Sequence, residues 1–395
     1  MKMPAVQYDL TYYLDTARQL AAHVAAGADR IDQERQLPPE FAGEIADQGF
    51  FRLLMPRSLG GAELAHPDFL RILEVFAAAD GSVGWCLNQN NVFATNSVRM
   101  PEQTAREIWG ERRAVVTNGP PTSTAKAIPV DGGYRLKGRW NFSSGSPHAT
   151  WIAALTPIVQ PGQEQDASFN REGNREGSRV LLIPKKDVKL LDLWQVNGLR
   201  GTGSLSFEVD DLFVPSVRTY DPNDESREPG ALYVIPRTLL FAAGFATVAL
   251  GIARASLDAT ISVAGTKTPG RSKTLLRDQP TTHRLIGEAE AIWRSAKAFL
   301  RESATSVWEG ACKNHALSTD ERIRLRLAST YGIRMAAEVV DIAYSLHSSS
   351  AIFATNPIQR RFQDIHVITQ HIQGSFAHYE TAGQHFLGLE PEGVF

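Results

Sequence analysis

Gly138-Arg139-Trp140-Asn141-Phe142-Ser143-Ser144-Gly145-Ser146-Pro147-His148-Ala149-Thr150-Trp151 is followed further along the chain by Asn197-Gly198-Leu199-Arg200-Gly201-Thr202-Gly203-Ser204-Leu205-Ser206-Phe207-Glu208-Val209. The two segments pair flat aromatic rings with short hydroxyl side chains and flexible glycines. That mixture suits the holding of a flat heteroaromatic group whose edge is hydrogen-bonded by backbone and hydroxyls.

Around these segments the texture of the chain changes twice. From Tyr8 to about Gly110 apolar residues recur at helical spacing, as in Leu10, Tyr13, Leu14, Ala17 and Leu20, with Pro38-Pro39 and the stretch from Pro56 to Gly61 as punctuation. From about Val115 to Val217 short β-type runs take over: Tyr134 with Leu136, Trp151 to Leu155, Val180 to Ile183, and Phe207 to Val209. Gln160 to Ser178, poor in apolar residues, is expected to be an exposed loop, and Asp221 to Gly230 a polar connection. Long alanine-rich helical patterns return over Phe241 to Ile261, Thr282 to Trp308, Thr319 to Ser345 and Pro357 to Leu387. The expected class is α+β multidomain: a helical domain over 1–114, a central β-barrel-like domain over 115–226 and a four-helix bundle over 227–395.

The 395 residues are 43% hydrophobic and 21% charged with a formal net charge of -2, so neither nucleic acid nor an anionic membrane surface is an expected partner. Charged residues interrupt the first thirty positions, so no signal peptide core is expected in them. The apolar stretch Leu239 to Ile252 is short and glycine-bearing for a bilayer span. Cys86 and Cys312 lie far apart without metal spacing, which fits free thiols in a cytoplasmic protein. There is no phosphate-binding Gly-rich loop, dinucleotide fingerprint or zinc motif in the sequence.

The order helices, β, helices resembles the acyl-CoA dehydrogenases, in which an aromatic-Ile-Thr-Asn-Gly run lies along a flavin and a Gly-x-Arg-Gly segment leads into a strand. Here the runs read Phe142-Ser143-Ser144-Gly145 and Gly198-Leu199-Arg200-Gly201, the latter leading to Phe207-Glu208-Val209-Asp210-Asp211-Leu212-Phe213-Val214-Pro215. Gly81-Ser82-Val83-Gly84-Trp85, the doubled serine, His148-Ala149-Thr150-Trp151, and Asn356 to His366 running on to His371 look like one branch of that superfamily, the oxygenase components of two-component flavin-dependent aromatic monooxygenases.

The resemblance implies reduced flavin, FADH2 or FMNH2, delivered by a separate NAD(P)H:flavin reductase, and dioxygen. A small aromatic or heteroaromatic substrate is hydroxylated through a C4a-hydroperoxyflavin. It assigns His371 to the proton management of the oxygen or substrate hydroxyl, and Ser143 and Ser144 to the flavin edge. Phe142, Trp151, Arg200, Thr202, Ser204, Arg277 and Gln279 become flavin contacts, the last two from a neighbouring subunit of a homotetramer. Ser348-Ser349-Ser350 stands where the dehydrogenases carry a glycine-rich turn, which keeps both flavins open.

Trp85, Phe241 and Phe245 are candidates for an aromatic substrate pocket, with Asn91 the chosen member of the amide cluster Asn88-Gln89-Asn90-Asn91. His371 lies seven residues after Asp364, two helical turns on, so both are expected on one helix face. His366, five residues from His371, is expected to face away, and His148 to be an exposed loop residue. Two other enzyme readings compete: an acyl-CoA dehydrogenase using Glu380 of Tyr379-Glu380-Thr381 as base, and a flavin-dependent N-oxygenase. The reading from another class is a flavin-free binding or scaffold protein.

Overall fold

The computed structural model describes residues 9–120, 122, 124–160, 177–270 and 272–395. Most of the loop expected over Gln160 to Ser178 lies outside them. Six helices come first: α1 (Leu10–Ala26), α2 (Ala28–Glu34), α3 (Pro39–Asp47), α4 (His66–Ala79), α5 (Gly81–Ala94) and α6 (Glu102–Trp109). Their starts follow local chemistry. Asp9 accepts from Tyr12 N at 2.9 Å, and Asp80 accepts from Ser82 N and Val83 N at 2.9 and 3.1 Å. Helix α5 differs from its neighbours because its residues are buried all round, apart from Gln89. A helix of that kind is a core element, and its polar residues must find partners inside the protein.

Among the described residues eight strands follow: β1 (Val116–Gly119), β2 (Lys126–Val130), β3 (Gly133–Ser143), β4 (Trp151–Pro157), β5 (Ser178–Pro184), β6 (Lys189–Leu191), β7 (Leu205–Pro215) and β8 (Thr219–Tyr220). They form two four-stranded sheets, ordered β1-β4-β5-β8 and β2-β3-β7-β6. The inner faces share one core in which Trp140 stacks on Phe207 at 4.8 Å and donates Nε1–H to Leu155 O at 3.2 Å. A bridge from Ala127 to Ile158 links the sheets at one edge. The barrel-like domain expected from sequence is thus a two-sheet sandwich with that bridge.

The last part holds α7 (Arg237–Ala264), α8 (Pro280–Asn314), α9 (Thr319–His347), α10 (Pro357–Thr369) and α11 (Ala377–Phe386). Helix α7 is longer than its sequence pattern suggested. By length and composition alone it could cross a bilayer, so the length argument against a span fails, but α7 is a largely buried helix of the protein's own core.

The helix expected from Pro357 to Leu387 is two helices. The β-branched run Ile365, Val367, Ile368 and Thr369 ends α10, and Arg334 on α9 donates to Thr369 O and Gly374 O, satisfying carbonyls that a continuous helix would have used. His371 therefore sits beyond the helix end with extended backbone (φ -72°, ψ 149°). The inference that placed it on the helix face of Asp364 does not hold.

On helix α8, Ala289, Trp293 and Ala296 are buried in the chain's own core. Trp293 donates to Leu250 O at 3.0 Å beneath the cations Arg254 and Lys297.

Candidate active site

The two segments that opened the sequence meet at the end of β3. Gly145 N donates to Thr202 O at 2.8 Å, Ser146 Oγ donates to Gly203 O at 3.1 Å, and Ser143 pairs in register with Leu205. A register shift between Trp140 and Ser143, with Phe142 left-handed at φ 57°, turns the chain here. The turn leaves the Phe142 ring 62% exposed and edge-on to Trp194 at 6.3 Å. The second segment lies on α10. A Cβ at Gly198 would come within 2.3 Å of Gln363 O, so glycine is required for that approach. The next residue, Leu199, is left-handed at φ 50°, and its N–H is held by Asp364 Oδ1 at 2.6 Å.

Four side chains form one buried hydrogen-bond chain whose direction is fixed by its ends. Trp85 Nε1 approaches Ser144 Oγ at 3.1 Å, Ser144 Oγ approaches Ser204 Oγ at 2.7 Å, Ser204 Oγ approaches Thr202 Oγ1 at 2.6 Å, and Thr202 Oγ1 approaches Leu199 O at 2.8 Å. An indole N–H only donates and a carbonyl only accepts. Thr202 therefore gives its proton to Leu199 O, Ser204 gives its own to Thr202, and Ser144 gives its own to Ser204. Ser144 has no proton left for a flavin and can offer only a lone pair. Ser143 is the opposite case: its hydroxyl is fully buried and has no partner among the described residues. A buried orphan of this kind costs about 1–3 kcal/mol until something fills it. The exposed Phe142 ring beside an unspent Ser143 hydroxyl thus fits one edge and one face of a flavin, with Ser143 as the donor and Ser144 as an acceptor.

Trp85, Phe241, Phe245 and His371 are brought together. Trp85 stacks on Phe245 at 3.8 Å and 20°, Phe241 lies at 5.8 Å from Phe245, and His371 packs edge-on against Trp85 and Phe245 at 5.1 and 5.0 Å. Such aromatic pairs contribute roughly 0.5–1.5 kcal/mol beyond their burial. The close passage of α5 and α7 depends on Gly244, where a Cβ would overlap Asn88.

Burial, with help from the nearby Arg326 cation, lowers the His371 pKa to about 4, so the imidazole is neutral at neutral pH. Its Nδ1 accepts a long bond from Gln373 N at 3.4 Å, which leaves the proton on Nε2. His371 is therefore built as a neutral donor.

Other residues singled out from sequence are engaged elsewhere. Asn91 accepts from Leu53 N and Leu54 N and donates to Phe50 O and Leu87 O, which spends its amide on backbone and leaves nothing for a substrate. Asn88 is the amide of the cluster that keeps an unused, buried oxygen, while its Nδ2 donates to Phe241 O at 3.2 Å. Helical phase could have made that distinction, because position 88 is three residues from Trp85 and position 91 is six.

Arg200 donates through Nε to Asp32 and through Nη1 to Val196 O and braces α2 against the β domain. Trp151 lies under the Arg218 guanidinium and packs with the cluster of Met55, Phe93 and Trp109, apart from the hydroxyl chain. Arg277 and Gln279 make local contacts with Asp278 and Ser272. His148 is partly buried, not exposed. It stacks on Phe51 at 5.1 Å, contacts Asn90 through Nε2 at 3.2 Å, and is pushed down to about 3 by burial, then by Lys185. His366 pairs with Asp341 at 2.9 Å. Glu380 is exposed on α11. Glu380→Gln should change turnover by no more than about twofold, as expected of a solvated surface carboxylate; loss of activity in steady-state assays would return it to the chemistry.

A helical N-terminal domain, a β-sandwich carrying the hydroxyl loops and a helical C-terminal part define the acyl-CoA dehydrogenase class of fold. Residues 9–110 match the model described as "Acyl-CoA dehydrogenase, N-terminal domain" and residues 243–376 the one described as "Acyl-CoA dehydrogenase, C-terminal domain". The chain is 30% identical to indole-3-acetate monooxygenase of Pseudomonas putida over 91% of this chain and 90% of that protein. It is 25% identical to the oxygenase component of the FADH2-dependent resorcinol hydroxylase of a Rhizobium species, over 94% and 92%. In fold it is similar to the 3-HSA hydroxylase from Rhodococcus sp. RHA1, with TM-score 0.86, 24% identity and 97% of both chains covered. XiaF from a Streptomyces species, solved with FADH2 and glycerol, gives TM-score 0.88 at 23% identity over 97% and 96%. The chain belongs to the flavin-dependent monooxygenases of acyl-CoA dehydrogenase fold.

Proposed function

We propose that the protein is the oxygenase partner of a separate NAD(P)H:flavin reductase and hydroxylates a small aromatic or heteroaromatic ring that packs against the cluster of Trp85, Phe241, Phe245 and His371. The observation that carries this reading is the aromatic box closed by a neutral histidine beside the unspent Ser143 hydroxyl. Reduced flavin, when bound, supplies the electrons by which one atom of dioxygen enters the ring and the other leaves as water.

The remaining work falls to the chain. Phe142 offers a ring face and Ser143 a donor to the flavin edge. The chain from Trp85 to Leu199 O holds Ser144 as an acceptor with no proton of its own to lose. The apolar box excludes water, and His371 Nε2–H donates toward the transferred oxygen. The test is stopped-flow mixing of protein and reduced flavin with oxygenated buffer. An absorbing species distinct from reduced and oxidised flavin should form and decay faster with substrate present. Immediate appearance of oxidised flavin under all conditions would sink the reading.

Assembly as a homotetramer is part of the proposal. Ile352, Phe353, Ile372, Phe376, Phe386 and Leu387 are exposed large hydrophobics in the C-terminal part, a surface that a second subunit would cover. In such an assembly Arg277 and Gln279 would meet a neighbour's flavin. Sedimentation as a monomer with undiminished affinity for reduced flavin would remove both points.

A further inference from the structure

Arg326, on α9, is a buried cation with no acidic partner among the described residues. Its side chain is 1% exposed. One Nη donates to Gln373 Oε1 and the other to Thr238 Oγ1 at 2.8 Å, while Nε–H has no partner among the described residues. Its charged neighbour is Arg322, which opposes its charge as burial does, and together they lower its pKa to about 9, so it stays protonated at neutral pH. A buried charge without a counter-ion is unfavourable, and the other buried arginine among the described residues, Arg52, is better placed because it donates to three carbonyls.

The position of Arg326 relates it to the aromatic box. Gln373 is two residues from His371. Thr238 lies three residues before Phe241 and seven before Phe245, on the same face of α7. The guanidinium is thus anchored to both walls of the box, and its field reaches His371 and His378, depressing both. Its present acceptors are a neutral amide and a hydroxyl, which a carboxylate would outcompete as a partner for the fork.

We infer that Arg326 is the anchor for an anionic substituent of the aromatic substrate, a carboxylate carried on a short side arm, which supplies the missing counter-ion and points the ring at His371. This rests on the monooxygenase reading and narrows its substrate class to aromatic acids. The anion enters as a ligand and is not consumed.

The test compares indole-3-acetate with two neutral probes of similar shape, indole-3-acetamide and 3-methylindole, on protein loaded with reduced flavin. Binding is measured by calorimetry under argon and coupled oxygenation is measured in air. The wild type should bind the acid roughly 10–100-fold more tightly than either neutral probe, the range of one charge-assisted hydrogen-bonded contact. Arg326→Gln should lose that preference while retaining its affinity for the neutral probes, and Arg326→Lys should keep part of it.

Equal weakening of all three probes would mean that Arg326 only ties down the Gln373 loop, and would overturn the inference. Absence of a preference in the wild type would do the same, even if the variants failed to fold. Binding in the stated order without oxygenation would instead count against the monooxygenase reading. Oxygenation without the order would count against Arg326 alone.

Discussion

His371→Ala is expected to lower coupled hydroxylation on the order of 10²–10⁴-fold, the range by which a positioned proton donor accelerates a reaction. Oxidation of reduced flavin should continue, with peroxide released in place of product. Flavin affinity should change little, because the contacts of His371 are with Trp85, Phe245 and the Gln373 backbone and not with the Phe142–Ser144 turn. The measurement is product formed per reduced flavin oxidised, alongside an anaerobic flavin titration.

The pH dependence adds a second readout. With its pKa lowered to about 4, His371 stays neutral over the range in which most such assays run, so its own titration should cut activity only toward pH 4. An acidic limb near the ordinary histidine value that vanishes in the mutant would show that His371 changes charge during turnover. The neutral-donor role would then fall. Unchanged coupling in His371→Ala would return the residue to packing.

How much of this could be read from sequence depends on the range of the interactions. The hydroxyl loops were legible because Phe142 to Gly145 and Gly198 to Ser204 are local strings whose residue types already state their chemistry. The aromatic box was legible in part: Trp85, Phe241 and Phe245 carry large rings on helices that the order of elements brings together. His371 reached the box for a reason that sequence spacing had misread, because the break at Gln370 depends on Arg334 of α9 capping Thr369 and Gly374. That is a tertiary contact with no local sign. The role of Asn91 failed similarly. An amide looks available until the backbone groups around it are known, and most of those around Asn91 come from distant positions. Arg326 was invisible for the converse reason, since the lack of a buried counter-ion is a property of the assembled core.

Asp364→Asn should make the protein more stable at and above neutral pH, and the gain should fade as pH falls toward 4. Asp364 is buried, and burial first, then the neighbouring Asp80 carboxylate, pushes its pKa up to about 7, against the opposing pull of Leu199 N–H and Arg360. Because the folded value lies above the unfolded 3.8, the native state holds a proton between about 4 and about 7 that the unfolded chain has released. Stability then falls as pH rises through that window, and the loss is complete above it. Asn carries no charge at any of these pH values, and its Oδ1 can still accept from Leu199 N. The difference in unfolding free energy should therefore grow with pH to at most roughly 4 kcal/mol. Denaturant titrations of both proteins from pH 4 to pH 8 measure it, and parallel stability curves would refute the assignment. Asp364 also holds the left-handed turn at Leu199, whose carbonyl ends the Trp85–Ser144–Ser204–Thr202 chain, so the carboxyl that titrates is the one that fixes the end of the array that keeps Ser144 an acceptor.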